Sequence, residues 1–249
     1  MVRVLFRADD LGYSEGINYG IEKSVKEGLI TNVGVMVNMP ATEHGVNLIK
    51  DCEIAFGLHT NICIGQPLTD SHKVSSIVTG SGQLKSSKEY RSAEKDFVVF
   101  DEVVLEVEAQ YQKFLNLFGR KPDYLEGHAV ASVNFFKALE YVASVHSVKY
   151  SGMPDANEAI TIGNSQVYLT MKSLEPNYDP LKTFQEMVKD ARPNCVELMV
   201  FHPGYLDDFI LKNSSLLIPR AVEVEMLISP QLKGWLKDSQ VECLTYKDL

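Results

Sequence analysis

The chain opens on an apolar run that ends in two adjacent carboxylates. Val2-Arg3-Val4-Leu5-Phe6-Arg7-Ala8 is dominated by β-branched, aromatic and other apolar residues, so it reads as a buried strand. It runs directly into Asp9-Asp10-Leu11-Gly12-Tyr13 and then Ser14, a residue type suited to a helix N-cap. The pair reads in two ways. It supplies negative charge to a divalent metal or acts as a general base, or its carboxylates bond backbone N–H groups in a turn.

The next segments set the architecture. Ile17, Ile21, Val25 and Leu29 recur at four-residue spacing along one helical face from Glu15 to Glu27, and Gly28 ends it. Asn32 to Val37 reads as a short buried strand, Ala41 to Lys50 as a helix and Ile54 to His59 as a third strand. Strand, helix, strand, helix, strand implies parallel pairing through right-handed crossovers. Thr60 to about Asp96 then breaks the rhythm with Ser, Gly, Thr and Lys, including Thr79-Gly80-Ser81-Gly82. That is long for a plain connection. It reads as an insertion, either covering a site at the strand's C-terminal end or mobile at the surface.

The alternation returns with a helix over Phe100–Phe118, whose apolar face is Val103, Val107, Tyr111, Phe114 and Leu117 and whose cap is Gly119. Tyr124 to His128 is a strand, Phe135 to His146 a helix and Lys149-Tyr150 a strand remnant. A polar loop follows over Ser151–Asn164, then a strand at Gln166–Thr170, a helix at Leu181–Ala191 and a strand at Cys195–Phe201. Helices near Leu206–Leu217, Pro219–Leu227 and Pro230–Asp238 precede a last strand, Val241–Leu244. The expectation is an α/β fold: one domain over residues 1–249, a deformed (β/α) barrel with mostly parallel strands, carrying the 60–96 insertion over its site.

Charge and cysteine content narrow the function. With 24 basic and 33 acidic residues, the formal net charge is −9. A chain so acidic is poorly suited to nucleic acid or to an anionic membrane surface. It still leaves room for a phosphorylated small molecule, which needs only a few local cations or N–H groups. Cys52, Cys63, Cys195 and Cys243 form no C-x-x-C pair, and free thiols in a reducing cytoplasm are expected. With a strand entered at once, no signal peptide is expected, and no apolar run approaches a membrane span.

Four strands end in ionisable side chains: Asp9-Asp10, His59, His128 and His202. C-terminal strand ends converge on one face of parallel α/β folds. One Asp and two His supply three protein ligands and leave a position for water, the arrangement of a hydrolytic metal site. Asp10, His59 and His128 are the expected ligands, and Asp9 the general base. Adjacent strand residues face opposite ways, so both carboxylates reach one site only if the turn begins at this pair, next to Gly12. His202, held before Pro203-Gly204, would protonate the leaving group or stabilise an oxyanion. His44, His72 and His146 lie in helices or loops and read as incidental.

Five stretches together resemble the YdjC-like carbohydrate deacetylases, with chito-oligosaccharide deacetylases as the nearest named members. They are Ala8-Asp9-Asp10-Leu11-Gly12, Gly57-Leu58-His59, Gly119-Arg120-Lys121-Pro122, Leu125-Glu126-Gly127-His128 and Phe201-His202-Pro203-Gly204. The resemblance extends to Pro219-Arg220 and the C-terminal strand. It implies a deformed (β/α) barrel whose metal is held by an Asp and two His, here Asp10, His59 and His128, with Asp9 as base and His202 as the late histidine. It implies hydrolysis of the N-acetyl group of an N-acetylated sugar, a chito-oligosaccharide or a phosphorylated disaccharide, by a cytoplasmic homodimer. Family usage points to Mg²⁺, whereas imidazole-rich ligation suits Zn²⁺, Mn²⁺ or Fe²⁺ better.

The chain departs from the pattern after His128. Ala129-Val130-Ala131-Ser132 stands where more histidines are usual, Arg7 stands where Asn is usual and Leu11 where Phe is usual. Arg7 either faces a phosphate or pairs with an acid. The missing histidines motivate an alternative reading, a catalytically silent or altered sugar-binding protein on the same scaffold. Sugar isomerisation is a third possibility on such a barrel, but no second acid–base pair is evident for it.

Overall fold

The structure is a computed structural model that describes residues 1–154 and 158–249. Of the polar loop expected over Ser151–Asn164, residues 155–157 lie outside the described residues.

The sheet is built from β1 (Val2–Leu11), β2 (Asn32–Val35), β3 (Ala55–Thr60), β4 (Tyr124–Gly127), β5 (Lys149–Tyr150), β6 (Ala159–Ile162), β7 (Ser165–Thr170), β8 (Val196–Phe201) and β9 (Val241–Leu244). Its order is β5-β4-β3-β2-β1-β8-β7-β6, and every pair is parallel except β6–β7. The helices between them are α1 (Glu15–Lys26), α2 (Thr42–Ile49), α3 (Ser87–Ser92), α4 (Phe100–Phe118), α5 (Val133–Val145), α6 (Pro180–Lys189), α7 (Asp208–Asn213), α8 (Ile218–Ile228) and α9 (Pro230–Asp238). None of them is long and apolar enough to cross a membrane.

β1 is long enough to have three partners. β8 follows one edge over Arg3–Ala8, while β9 and β2 share the other edge, pairing with Val2–Leu5 and Arg7–Leu11. The sheet curls into a nearly closed barrel, because Leu5 of β1, Tyr124 of β4, Val167 of β7 and Val196, Leu198 and Val200 of β8 share one interior cluster. The larger core lies outside the sheet, where Val4, Phe6, Phe56, Leu58, Leu125, Met199 and Phe201 meet helix residues such as Ile17, Ile21, Val107, Phe114, Phe135 and Leu139.

The helices form for the expected reasons. Ser14 accepts a hydrogen bond from the Ile17 N–H and caps α1, and Gly119 ends α4 with φ 65°. Several boundaries differ from the sequence reading. β2 stops at Val35, the helix expected over Leu206–Leu217 shortens to α7, and β6 arises inside the segment read as loop. β6 is recruited by antiparallel pairing with β7, a tertiary effect that its polar surroundings conceal. The 60–96 segment holds a 3₁₀ turn at Ser71–Lys73, helix α3 and buried Val74, Ile77, Leu84 and Tyr90, so it packs on side chains of its own.

The strand period sorts each strand into an outer apolar row and an inner row. The inner rows read Leu5-Arg7-Asp9, Ala55-Gly57-His59, Tyr124-Glu126-His128 and Val196-Leu198-Val200-His202. Each begins apolar and ends ionisable at the C-terminal rim. Glycine on the inner face makes room for bulk opposite: a Cβ on Gly57 would stand 2.2 Å from Cε2 of Tyr124. That ring cannot retreat, because Tyr246 stacks on it at 3.7 Å between centroids. Gly57→Ala should therefore destabilise the fold by about 1–3 kcal/mol, the usual cost of overpacking. Urea denaturation checks this, and a variant within about 0.5 kcal/mol of wild type, the range of neutral surface changes, would show that the interior yields.

Candidate metal and hydrolytic site

Asp10 should face outward by strand alternation, and it does not. Its φ is 79°, and the β1–β2 register slips between Ala8 and Leu11. This bulge turns the Asp10 carboxylate onto the same side as Asp9. The expectation that the turn begins at the pair is corrected: the strand continues through Leu11, and a bulge inside it does the work. Gly12 follows at φ 99°, where a Cβ would meet the Met36 carbonyl oxygen at 2.6 Å.

Three donors converge there. Asp10 Oδ1 lies 3.2 Å from His59 Nε2 and 3.1 Å from His128 Nδ1, and the two nitrogens are 2.9 Å apart. His59 is carried by β3, and His128 follows β4 directly. Arg220 of α8 donates from Nη2 to the other carboxylate oxygen of Asp10 at 2.8 Å. Burial would raise the Asp10 pKa, but Arg220 and the two imidazoles outweigh it and hold the carboxyl well below its usual range.

Glu126 fixes the His59 ring. Its Oε1 stands 2.5 Å from His59 Nδ1. Burial alone would raise this carboxyl, yet His59 and Arg7 hold it low. It therefore accepts the Nδ1 proton, and Nε2 is left to face Asp10 and His128. Burial would also lower both imidazoles. Glu126, Asp9 and Asp10 instead hold His59 well above its ordinary value, and Asp10 pushes His128 up to about 9.

Asp9 lies on the inner row, with Arg7 against it. Arg7 Nη2 donates to Asp9 Oδ2 at 2.9 Å, and Nε approaches Oδ1 at 2.8 Å in poor hydrogen-bond alignment. Arg7 Nη1 donates to the Tyr246 hydroxyl at 3.0 Å and to Ser151 Oγ at 3.3 Å. Arg7 is thus paired with an acid and 4% exposed, not offered to a phosphate. Asp9 Oδ1 receives no hydrogen bond among the described residues.

His202 follows β8, with Nδ1 3.2 Å from Ser173 Oγ. Burial drives its pKa down to about 4 despite the nearby Asp10 and Asp9, so the ring is neutral near pH 7. Its backbone N–H donates to Glu223 Oε2 at 2.6 Å, and Glu223 Oε1 accepts from the Tyr178 hydroxyl at 2.9 Å. The structure thus gathers Asp9, Asp10, His59, His128 and His202 at one rim, while His44, His72 and His146 sit elsewhere. A cavity of about 340 Å³ opens at His128, lined by Tyr13, Gln83, Ser86 and Asn213 among others.

Sequence reasoning gave no role to Glu126, Arg220, Glu223 or Tyr246. A signal existed for Glu126: it precedes His128 by two, hence on the same strand face. Arg220 and Glu223 share a helix far along the chain, and only the packing of α8 against α1 and α6 brings them in.

A family model described as YdjC-like protein matches residues 3–238. The chain belongs to the YdjC-like family. Carbohydrate deacetylase 2 of Listeria innocua is 33% identical to this YdjC-like chain over 253 residues, covering 100% of it and 99% of the relative. The carbohydrate deacetylase of Clostridium beijerinckii is 29% identical over 265 residues, covering 100% of both. Among solved structures, a candidate cellobiose-phosphate cleavage protein from Enterococcus faecalis V583 matches with TM-score 0.85 at 18% identity, covering 99% of this chain and 98% of that one. That likeness shows that this YdjC-like chain shares the fold of that protein over nearly its whole length.

Glu223 gives the site a measurable pH signature. Burial pushes its pKa up to about 8, against about 4.3 in an unfolded chain. The proton is therefore held more tightly in the folded state, and the stability it contributes is complete below about pH 4.3 and lost as pH rises through 8. Glu223→Gln cannot titrate. Denaturation midpoints of wild type should fall relative to the variant between about pH 5 and 8; parallel profiles would show the carboxyl already ionised.

Proposed function

We propose that this chain is a metal-dependent carbohydrate deacetylase that hydrolyses the acetamide of an N-acetylated sugar. The observation that carries the reading is the triangle of Asp10 Oδ1, His59 Nε2 and His128 Nδ1 at the edge of a polar cavity. Donors sharing one cation at bonds of about 2.1 Å stand roughly 3 Å apart, as these do. The charge balance agrees: three buried carboxylates, Asp9, Asp10 and Glu126, face two guanidiniums, Arg7 and Arg220. The raised imidazoles report the same demand for positive charge. The relatives named carbohydrate deacetylases support the reaction class.

A divalent cation held by these three residues, Mg²⁺, Zn²⁺ or Mn²⁺, would polarise the acetyl carbonyl and acidify a bound water. The remaining residues divide the work. Arg220 takes one Asp10 oxygen and leaves the other to the triangle. Glu126 keeps the His59 proton on Nδ1. Asp9, clamped by Arg7, would accept the proton of the attacking water at Oδ1, which pairs with Arg7 Nε but receives no hydrogen bond among the described residues. Neutral His202 is suited first to donate N–H to the developing oxyanion, and a proton passes to the leaving amine only after the ring has gained one. The 60–96 insertion, which contributes Gln83 and Ser86 to the cavity, would cover the bound sugar. The reading extends to a cytoplasmic homodimer with free thiols, acting on sugars with or without a phosphate.

The experiment is acetate release from N-acetylglucosamine, diacetylchitobiose and their phosphates, with and without added Mg²⁺, Mn²⁺ or Zn²⁺. Asp10→Ala and His59→Ala should abolish both metal retention and turnover; acetate release surviving either would overturn the mechanism. His202→Ala should lower kcat by about 10²–10³-fold, as loss of an oxyanion donor does, with metal content unchanged. Tight sugar binding with no acetate from any substrate would instead favour a silent binding protein. Metal binding must also displace protons from the imidazoles. Affinity measured by chelator competition should therefore rise as pH increases toward about 9, where His128 would otherwise shed its proton.

A further inference from the structure

His202 is held at its main chain before its ring is considered. Its N–H donates to Glu223 Oε2 at 2.6 Å, its carbonyl accepts from Arg220 Nη1 at 3.2 Å, and Pro203 follows it. Both backbone groups are therefore fixed from α8. The freedom left to the imidazole is rotation about its own side-chain bonds and the choice of which nitrogen carries the proton.

The loop after β7 addresses that choice. A turn closed by the Glu175 N–H on the Lys172 carbonyl, at 2.9 Å, carries Ser173. Ser173 Oγ stands 3.2 Å from His202 Nδ1. Further along the same loop, the Tyr178 hydroxyl donates to Glu223 Oε1 at 2.9 Å. One loop thus reaches His202 twice, at the ring directly and at the backbone N–H through Glu223. The turn also reverses the usual order of burial: Ser173 is 2% exposed, and its neighbour Leu174 is 71% exposed. Packing alone would bury the leucine, so the serine is placed for its hydroxyl.

The direction of the Ser173–His202 hydrogen bond follows from satisfying every proton. Burial keeps the ring neutral near pH 7, so one nitrogen bears a proton and the other a lone pair. With the proton on Nδ1, Ser173 would accept from it. The serine's own buried proton would then have no acceptor among the described residues, which is costly. With Nδ1 bare, the hydroxyl donates to it and both groups are satisfied. The ring proton then sits on Nε2, which has no hydrogen-bond partner among the described residues and is left for a bound group.

We infer that Ser173 is a positioning residue that holds His202 in the tautomer protonated on Nε2. The reverse tautomer would turn a bare lone pair toward the reacting group and repel a developing oxyanion. The bearing on turnover rests on the proposed role of His202 in the deacetylase reading; the tautomer stands apart from the reaction.

The test reads the proton directly. Two-dimensional ¹H–¹⁵N NMR of the full chain labelled at histidine, with Mg²⁺ added and His202→Ala for assignment, shows which ring nitrogen is protonated. Wild type should carry the proton on Nε2. Ser173→Ala should lose that preference, and Ser173→Thr, which keeps the hydroxyl, should restore it. A wild-type proton on Nδ1, or His202 signals unchanged in Ser173→Ala, would overturn the inference. On diacetylchitobiose, Ser173→Ala should lower kcat by about 3- to 10-fold, the worth of one neutral hydrogen bond, with KM and metal content unchanged. The expected tautomer change with no acetate under any metal would sustain the hold of Ser173 on the ring and sink the deacetylase reading. Acetate release by Ser173→Ala at the wild-type kcat would keep that reading and overturn the part given to Ser173 in it.

Discussion

The structure depends on one carboxylate held where a strand residue should not be. Asp10 sits in β1 at φ 79° and is fully buried, with its two oxygens committed to different partners. Arg220 holds one, and the imidazoles of His59 and His128 crowd the other. A left-handed backbone costs a non-glycine residue on the order of 1–3 kcal/mol, and such strain persists only where surroundings over-determine it. Here His59 of β3, His128 after β4 and Arg220 of α8 all bear on it. Relaxing Asp10 into the regular strand would point its carboxylate into the outer hydrophobic core and strand Arg220 without a counter-ion.

Around that point the interior changes character along its axis. The lower barrel is apolar, with Leu5, Val196, Leu198 and Tyr246 packed together. The upper barrel is a web of charges: Arg7 between Asp9 and Tyr246, Glu126 behind His59, Glu223 behind His202. Buried ions are costly unless paired and bonded on every side. Nearly all of these are, and the exceptions are informative. Among the described residues, Asp9 Oδ1, Arg7 Nε, Thr60 Oγ1 and the Tyr124 hydroxyl are buried without hydrogen bonds. Two of the four, Asp9 Oδ1 and Arg7 Nε, lie 2.8 Å apart as an ion pair, where Asp9 faces the place of the proposed chemistry.

Much of this was legible from residue order. The opening β-α-β-α-β alternation, the helical faces of α1 and α4, and the ionisable strand ends at His59, His128 and His202 follow from periods of 3.6 and 2 that local sequence records directly. The inner rows could have yielded more, since Arg7 and Glu126 share strand faces with Asp9 and His128. β6 was hidden because its pairing partner, not its own composition, makes it a strand. The 60–96 segment read as irregular because its polar residues outnumber Val74, Ile77 and Leu84, although those few are enough to pack it.

By itself, the sequence determined that strands would be mostly parallel, that several of their carboxyl ends would bear Asp or His, and that the chain resembles a deacetylase family. These properties are set by spacing and residue type. Only the tertiary structure decided that Asp10 turns inward at a bulge, that Arg7 clamps an acid, and that Arg220, 210 residues beyond Asp10, and Glu223 reach the site from one helix. The physical reason is that an unpaired buried charge is too costly to leave, so partners are chosen by proximity in space, which spacing along the chain does not encode.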